Sequence, residues 1–333
     1  MPVNNTLASY SDVAFATAFG LYAVALLVLI AFYVRVKSAT EDRAELGARE
    51  QELVAVGAGS ATPPAPDHGA PDPVKVEKRE ALAAKLAAVG EILVYVGVAV
   101  HLASVVLRGL SASRFPWGNL YEYIAMFTLV AMAVAAAALR RDEMRVFWPW
   151  LLVPIMALMF YGGTELYAES APVVPALQSI WFPIHVSTVI VGASIFLLSG
   201  VASLLYVLRM WQKPGTETGV VGAVVRPLPS AKALDTMAYR TAIWAFPLFS
   251  LGVVFGAIWA ESAWGRFWGW DPKETVSFVT WLVYAAYLHA RATSGWRSRG
   301  AAWINIVGFA TMVFNLFFIN MVVSGLHSYA GLN

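Results

Sequence analysis

Five histidines supply most of the chemistry open to this 333-residue sequence, because it contains no cysteine. Disulfides, thiolate metal sites and a cysteine nucleophile are excluded. His101, His185, His289 and His327 lie in or beside long apolar runs. Ionisable side chains are rare in such runs and are functional candidates by default. Neutral imidazole is also a common metal ligand. His68 sits in a Pro/Ala/Gly-rich stretch and reads as solvated.

The second concentration of chemistry is "WGRFWGWDPKE", Trp264 to Glu274. Its last four residues are capping residues. Asp271 suits an N-cap, Pro272 the first helical position and Glu274 the reciprocal N3 partner. The preceding residues exceed what an interfacial aromatic belt needs. Trp264 and Trp268 share a helical face that Trp270 does not continue, and Trp259 and Trp244 add rings nearby. A shelf of tryptophans suits a large, flat, apolar ligand, each face adding about 0.5–1.5 kcal/mol beyond area burial. Arg266 and Lys273 are cations able to meet carboxylates on the rim of such a ligand. A porphyrin with two propionates fits that description better than a quinone or a lipid does. "FPWGNLYEY" holds a second cap, with Asn119 and Glu122 at N-cap and N3.

The elements that must position these residues are membrane helices. The chain is 59% hydrophobic and 13% charged. Apolar runs of roughly 20 residues, each able to cross a bilayer, predict an all-α polytopic membrane protein. About eight spans are expected: Val13–Val36, Leu86–Leu107, Leu120–Leu139, Val146–Tyr161, Ile180–Met210, Met237–Ala260, Pro272–Ala290 and Ala302–Val323. The first span is not a secretory signal, since nothing basic precedes it and Arg35 and Lys37 follow. Three segments result: an N-terminal transmembrane helix over 1–36, a cytoplasmic and largely disordered linker over 37–85, and a membrane domain over 86–333 carrying a loop at about 259–274. The linker is first charged, with a short helical start, and then Pro/Ala/Gly-rich. Placing it in the cytoplasm puts all basic residues there except Arg108, Arg114, Arg266 and Lys273. By the positive-inside rule both termini and the tryptophan loop are then external.

With that topology His185, early in the fifth span, and His327, just past the eighth, share the depth of the loop. Two imidazoles flanking an aromatic shelf are what six-coordinate haem iron needs. His289 lies near the inner end of the seventh span, with no histidine at its depth in this chain. It is either structural or paired with a residue of another polypeptide. His101 has a packing or hydrogen-bonding role.

"GAIWAESAWGRFWGWDPKET" resembles the WWD domain of haem-handling proteins, specifically the CcsA/ResC type of System II cytochrome c biogenesis, called CcsB in actinobacteria. Trp264, Gly265, Trp268, Trp270, Asp271, Pro272, Lys273 and Glu274 match that motif, and "NLYE" resembles a second signature. The likeness runs from about residue 90 onward. It implies that His185 and His327 are external haem ligands and that His289 is one intramembrane ligand. It implies haem b as substrate and transported ligand, and a ResB-type membrane partner that supplies the second intramembrane histidine. Apocytochrome c, whose CxxCH thiols receive the haem vinyl groups, and a thiol-reducing protein complete the expected partners, with membrane lipid and no nucleic acid. The implied location is the plasma membrane. A haem transporter without attachment activity and an electron-transfer cytochrome b are the alternatives.

Overall fold

The computed structural model describes residues 3–57, 71–293 and 299–327, so His68 and Arg297 fall outside the described residues. Those described are helical with no strand. The helices are α1 (Asn5–Gly57), α2 (Pro73–Ser111), α3 (Leu120–Ala138), α4 (Trp148–Thr164), α5 (Trp181–Trp211), α6 (Gly219–Val225), α7 (Ala231–Trp264), α8 (Pro272–Ala292) and α9 (Arg299–Phe314). Beyond α9 the chain makes a wider π-type turn, Asn315–Ile319. Among the described residues, seven helices are long and apolar enough to cross a membrane. The expected seventh span is present as α8, but α8 is not one of them. It carries Lys273, Glu274, Ser277, Thr280, His289 and Arg291, which lower its hydropathy below that of its neighbours.

Of the stretch expected to be a largely disordered linker with a short helical start, residues 37–57 and 73–85 are helical, and the Pro/Ala/Gly-rich part over 58–70 lies outside the described residues. α1 runs unbroken to Gly57 and α2 starts at Pro73. Two causes are visible. The segment Ala39–Val56 is rich in Ala, Glu, Leu and Arg, all good helix formers. Arg43 also pairs with Glu80, and Arg79 with Asp42, tying α1 to α2. Asp72 caps α2 by accepting Val74 N–H at 2.9 Å.

The bundle is organised on two long helix pairs. In the first, Gly90 and Gly97 of α2 receive Leu29 and Tyr22 of α1, so close that a methyl at either glycine would lie 2.6 Å from them. In the second, α5 and α7 approach backbone to backbone: a methyl at Gly192 would meet Phe249 N at 2.9 Å, and one at Gly252 would meet Val189 N at 3.1 Å. Small residues at a crossing let membrane helices pack this closely. α9 joins α5 through Asn305, whose buried Nδ2 donates to Ser199 Oγ at 2.8 Å and Ser203 Oγ at 2.7 Å. Large apolar side chains such as Leu27, Ile92, Leu102 and Trp244 remain exposed on the outside of the bundle, as lipid-facing surfaces require.

Candidate functional site

α7 ends where Gly265 adopts a left-handed conformation, φ 69°, and its N–H closes on Glu261 O at 2.8 Å. The loop then returns to α8, which opens with the expected capping box: Asp271 Oδ1 accepts Lys273 N–H at 3.1 Å and Glu274 Oε2 accepts Asp271 N–H at 3.2 Å. Glu274 does more than cap. Oε1 accepts from the Arg266 guanidinium at 2.9 Å, and Oε2 also accepts Gly269 N–H at 2.8 Å. One buried carboxylate thereby closes the tryptophan loop from both ends. Arg266 also lies 5.8 Å from the Trp264 ring centroid. A methyl at Gly269 would overlap the Arg266 guanidinium. Gly269→Ala is therefore expected to open the Arg266–Glu274 pair, a charged hydrogen bond worth about 1.5–3 kcal/mol. Thermal unfolding of the detergent-purified variant checks this, and an unchanged Tm would show that the pair does not hold the loop.

Asp271 has a second task. Its Oδ1 accepts from His327 Nδ1 at 2.9 Å and its Oδ2 accepts Leu326 N–H at 2.9 Å. The cap of α8 thus anchors the segment that follows α9. Burial would raise the Asp271 pKa, but hydrogen bonds from His327, Leu326 N and Lys273 N hold it at about 2. Burial lowers that of His327, only partly offset by Asp271. An ionised carboxylate can only accept, so neutral His327 must carry its proton on Nδ1 and its lone pair on Nε2. This is the carboxylate–histidine arrangement that orients metal-binding imidazoles.

His185 is fixed by different means to the same effect. It lies one turn into α5, and its Nδ1 is 2.7 Å from Gly252 O on α7. A carbonyl only accepts, so Nδ1 is again the protonated nitrogen. Its ring rests on Gly256: a methyl there would lie 2.7 Å from Cε1 and 2.8 Å from Nδ1.

Trp259 connects the two histidines. It is 2% exposed, and its Nε1 donates to Ala176 O at 2.9 Å. The His185 ring stacks on it at 5.8 Å and 13°, and the His327 ring meets it edge-on at 5.6 Å and 69°. Trp264 packs on both Trp259, at 4.8 Å, and His327, at 4.9 Å.

All three of Trp259, His185 and His327 line one cavity of about 560 Å³, within the roughly 300–1,000 Å³ range of small-molecule sites. Trp268, Phe267, Phe182 and Phe309 contribute further apolar wall, while Lys273, Ser277 and Asn320 add polar groups. Lys273 Nζ hydrogen-bonds Asn320 Oδ1, a neutral partner. Of the two cations weighed for a rim carboxylate, Arg266 is thus already engaged by Glu274, and Lys273 faces the cavity. Trp270 is not among the lining residues. It is 66% exposed and holds a left-handed φ of 57°, a conformation that costs a non-glycine residue about 1–2 kcal/mol.

The cavity lining also includes Trp117, Gly118, Asn119 and Tyr123. The "NLYE" loop repeats the device of the tryptophan loop. Asn119 caps α3 by accepting Glu122 N–H at 2.9 Å. Glu122 pairs with Arg114 at 2.7 Å and accepts Gly118 N–H at 2.7 Å. In both loops an Arg-Phe pair stands eight residues before the glutamate, and the cap residue stands five after the arginine. Arg114 and this pairing were not anticipated, although the shared spacing was the signal for them.

His289 is apart from all of this. It is exposed in the last turn of α8, about 27 Å from Asp271 at 1.5 Å per residue. His101 is buried between Phe15, at 5.7 Å, and Tyr22, at 6.0 Å. It packs against these two rings and meets the backbone of Ala125 on α3.

Comparison with known proteins places the sequence in one family. The family model described as "Cytochrome C assembly protein" matches residues 117–327, from the "NLYE" loop to His327. Cytochrome c biogenesis proteins CcsA of Synechococcus sp. (strain RCC307) and Gloeobacter violaceus are 32% and 30% identical over 257 and 275 residues. The CcsA of Guillardia theta is 33% identical over 242. Each match spans 68% of this chain and 80%, 81% and 80% of the respective relative. Among solved structures, cytochrome c haem lyase CcmF superposes with a TM-score of 0.52 at 16% identity, which is a likeness of fold. That superposition covers 95% of this chain and about half, 49%, of the larger protein. The chain belongs to the cytochrome c assembly protein family and is a multi-pass membrane protein of the CcsA type, acting in cytochrome c biogenesis.

Proposed function

We propose that this protein holds haem b in the cavity between α5, α7 and α8 and presents it for covalent attachment to apocytochrome c. The observation that supports this most is the convergence of His185 and His327 on Trp259 at the wall of one cavity, each with Nδ1 committed to an acceptor. That leaves Nε2 of each ring as the nitrogen able to bind iron.

Haem supplies two vinyl groups and an iron with two axial positions. His185 and His327 take the axial positions, Trp259 and Trp268 wall the porphyrin, and Lys273 meets a propionate. In the attachment step each substrate thiol adds S–H across a vinyl C=C. A C–S bond forms, the proton ends on the neighbouring carbon, and no electrons are gained or lost overall. The protein contributes mainly orientation of the two reactants, and the CxxCH histidine then replaces one protein imidazole. In this reading the protein acts as a System II cytochrome c synthase only within a complex. A ResB-type partner supplies a second inner histidine opposite His289, whose exposure on α8 leaves it accessible to another polypeptide. A thiol-reducing protein keeps the CxxCH pair reduced. The tryptophan loop lies on the extracytoplasmic side of the cell membrane, with residues 37–85 in the cytoplasm and 86–333 as the haem-handling domain.

The test is the absorption spectrum of the purified complex after His185→Ala and after His327→Ala. Loss of the bis-imidazole low-spin bands is expected in each. Haem content and ligand field unchanged in both would sink the assignment. A co-expressed CxxCH reporter then separates attachment from transport alone, by whether its haem survives acid–acetone extraction.

A further inference from the structure

A second cavity, of about 530 Å³, opens between α2 and α3, at the end of α3 away from the "NLYE" loop. Glu91 and Tyr95 of α2, Ala133 and Ala137 of α3, and Arg140 and Arg145 just beyond α3 line it. None of these residues lines the cavity of His185 and His327. Glu91 is buried within the apolar run of α2, and its Oε1 accepts from Arg145 Nε at 3.1 Å. Asp142 also reaches Arg145, at 3.0 Å, but from outside the cavity and with its carboxylate 87% exposed. Arg140 is exposed and has no ion pair or hydrogen bond among the described residues. Of the charged lining residues, Glu91 and Arg145 offset each other and Arg140 is left over. Small residues in a span usually serve a close helix crossing, but Ala133 and Ala137 are exposed on the outside of the bundle. Beside them stand the larger exposed side chains Ile92, Tyr95 and Val96 of α2. The result is a channel that faces lipid, floored by methyl groups, with guanidinium groups at its head.

We propose that this channel binds one anionic phospholipid, its phosphate between Arg140 and Arg145 and one acyl chain along Ala133 and Ala137. A guanidinium offers a planar fork of N–H groups that matches phosphate oxygens. Glu91 holds Arg145 through Nε and leaves Nη2 uncommitted among the described residues. Tyr95 supplies a hydroxyl with no hydrogen-bond partner among the described residues. Helical side chains lean toward the helix N-terminus, which for α2 is the end where the arginines lie, so that hydroxyl donates to an ester oxygen below the phosphate. Basic pockets between spans recognise acidic headgroups in this way, each cation adding about fivefold to affinity. In the topology expected from the basic residues, the site belongs to the cytoplasmic leaflet, whose surface is the anionic one. A zwitterionic lipid gains less, because its own ammonium group is repelled by Arg140.

The experiment is native mass spectrometry of the full chain in detergent, titrated with phosphatidylglycerol or with phosphatidylcholine of identical acyl chains. The wild type is expected to hold one phosphatidylglycerol about fivefold more tightly than phosphatidylcholine, the effect of one uncompensated cation. Arg140→Gln, at an exposed residue with no partner to lose, is expected to remove that preference. Ala137→Leu fills the channel without touching a charge and is expected to weaken phosphatidylglycerol binding severalfold. Glycerol 1-phosphate, a headgroup without chains, is expected not to displace the lipid at equal concentration. Both substitutions are at exposed positions, so the lipid-free variants should melt as the wild type does. Equal binding of the two lipids by the wild type overturns the proposal. So does phosphatidylglycerol binding unchanged in Arg140→Gln or in Ala137→Leu, or displacement by glycerol 1-phosphate. The outcome is independent of haem ligation, since the measurement needs no haem and neither variant alters the other cavity.

Discussion

Asp271→Ala is expected to lower haem occupancy about 10–100-fold, the usual effect of deleting a carboxylate behind a metal-binding histidine. The same change removes a helix cap, at a cost of about 0.5–2 kcal/mol. Two tasks thus fail together, because one carboxylate caps α8 through Lys273 N and tethers His327 and Leu326. Asp271→Asn separates them. Asparagine caps about as well as aspartate, so α8 and the bundle should form normally. Its neutral amide, however, replaces a charge-assisted hydrogen bond to His327 by an ordinary one, about half as strong. The expected pattern is a near-wild-type melting profile for Asn, a lowered one for Ala, and reduced haem in both. Full haem occupancy in Asp271→Ala would show that His327 needs no support from the cap.

The second large effect is expected at Gly256, which touches no ligand atom through a side chain of its own. A single methyl there would sit 2.7 Å from His185 Cε1. The imidazole is restrained against leaning away, because Nδ1 is bound to Gly252 O and the ring stacks on Trp259. Gly256→Ala is expected to shift His185 out of register and leave iron with one imidazole. The low-spin spectrum should change to a high-spin or mixed one, with the protein still inserted and folded. Gly20→Ala is the matched control, since a methyl at Gly20 meets nothing within 4 Å. A low-spin spectrum retained in Gly256→Ala would mean that the His185 position tolerates more movement than its packing implies.

The parts of this site that obey local rules were legible in the sequence. The "DPKE" and "NLYE" caps follow from residue type and spacing, and the structure contains both. The helical architecture followed from apolar run length, and His185 and His327 were brought to one depth by counting along spans. What escaped was long-range. Trp259 sits five residues before the motif, and only the packing of α5 on α7 and the return of the chain after α9 place it between two histidines. The spacing shows Arg266 and Lys273 as equal cations, and only the fold gives one to Glu274 and the other to Asn320. The helical start expected after the first span extends to Gly57 because the segment is rich in Ala, Glu and Leu, and its cross-links to α2 are non-local.

The polarity of α8 also bears on how the protein is made. During synthesis a helix enters the bilayer by itself only if its own apolar side chains outweigh its polar ones. α8 carries Lys273, Glu274, Ser277 and Thr280 because the site needs them, and so it falls short of that standard. It packs chiefly against α9 and then α7, so it gains its main partner only when α9 leaves the ribosome. His327, which follows α9, is tethered to the first turn of α8 by Asp271. Insertion of the weakest helix and completion of the ligand pair therefore depend on the same late stretch of chain. In the proposed reading, a nascent protein interrupted before that point would lack both the main packing partner of α8 and the second imidazole, and partly made copies would be unable to sequester haem.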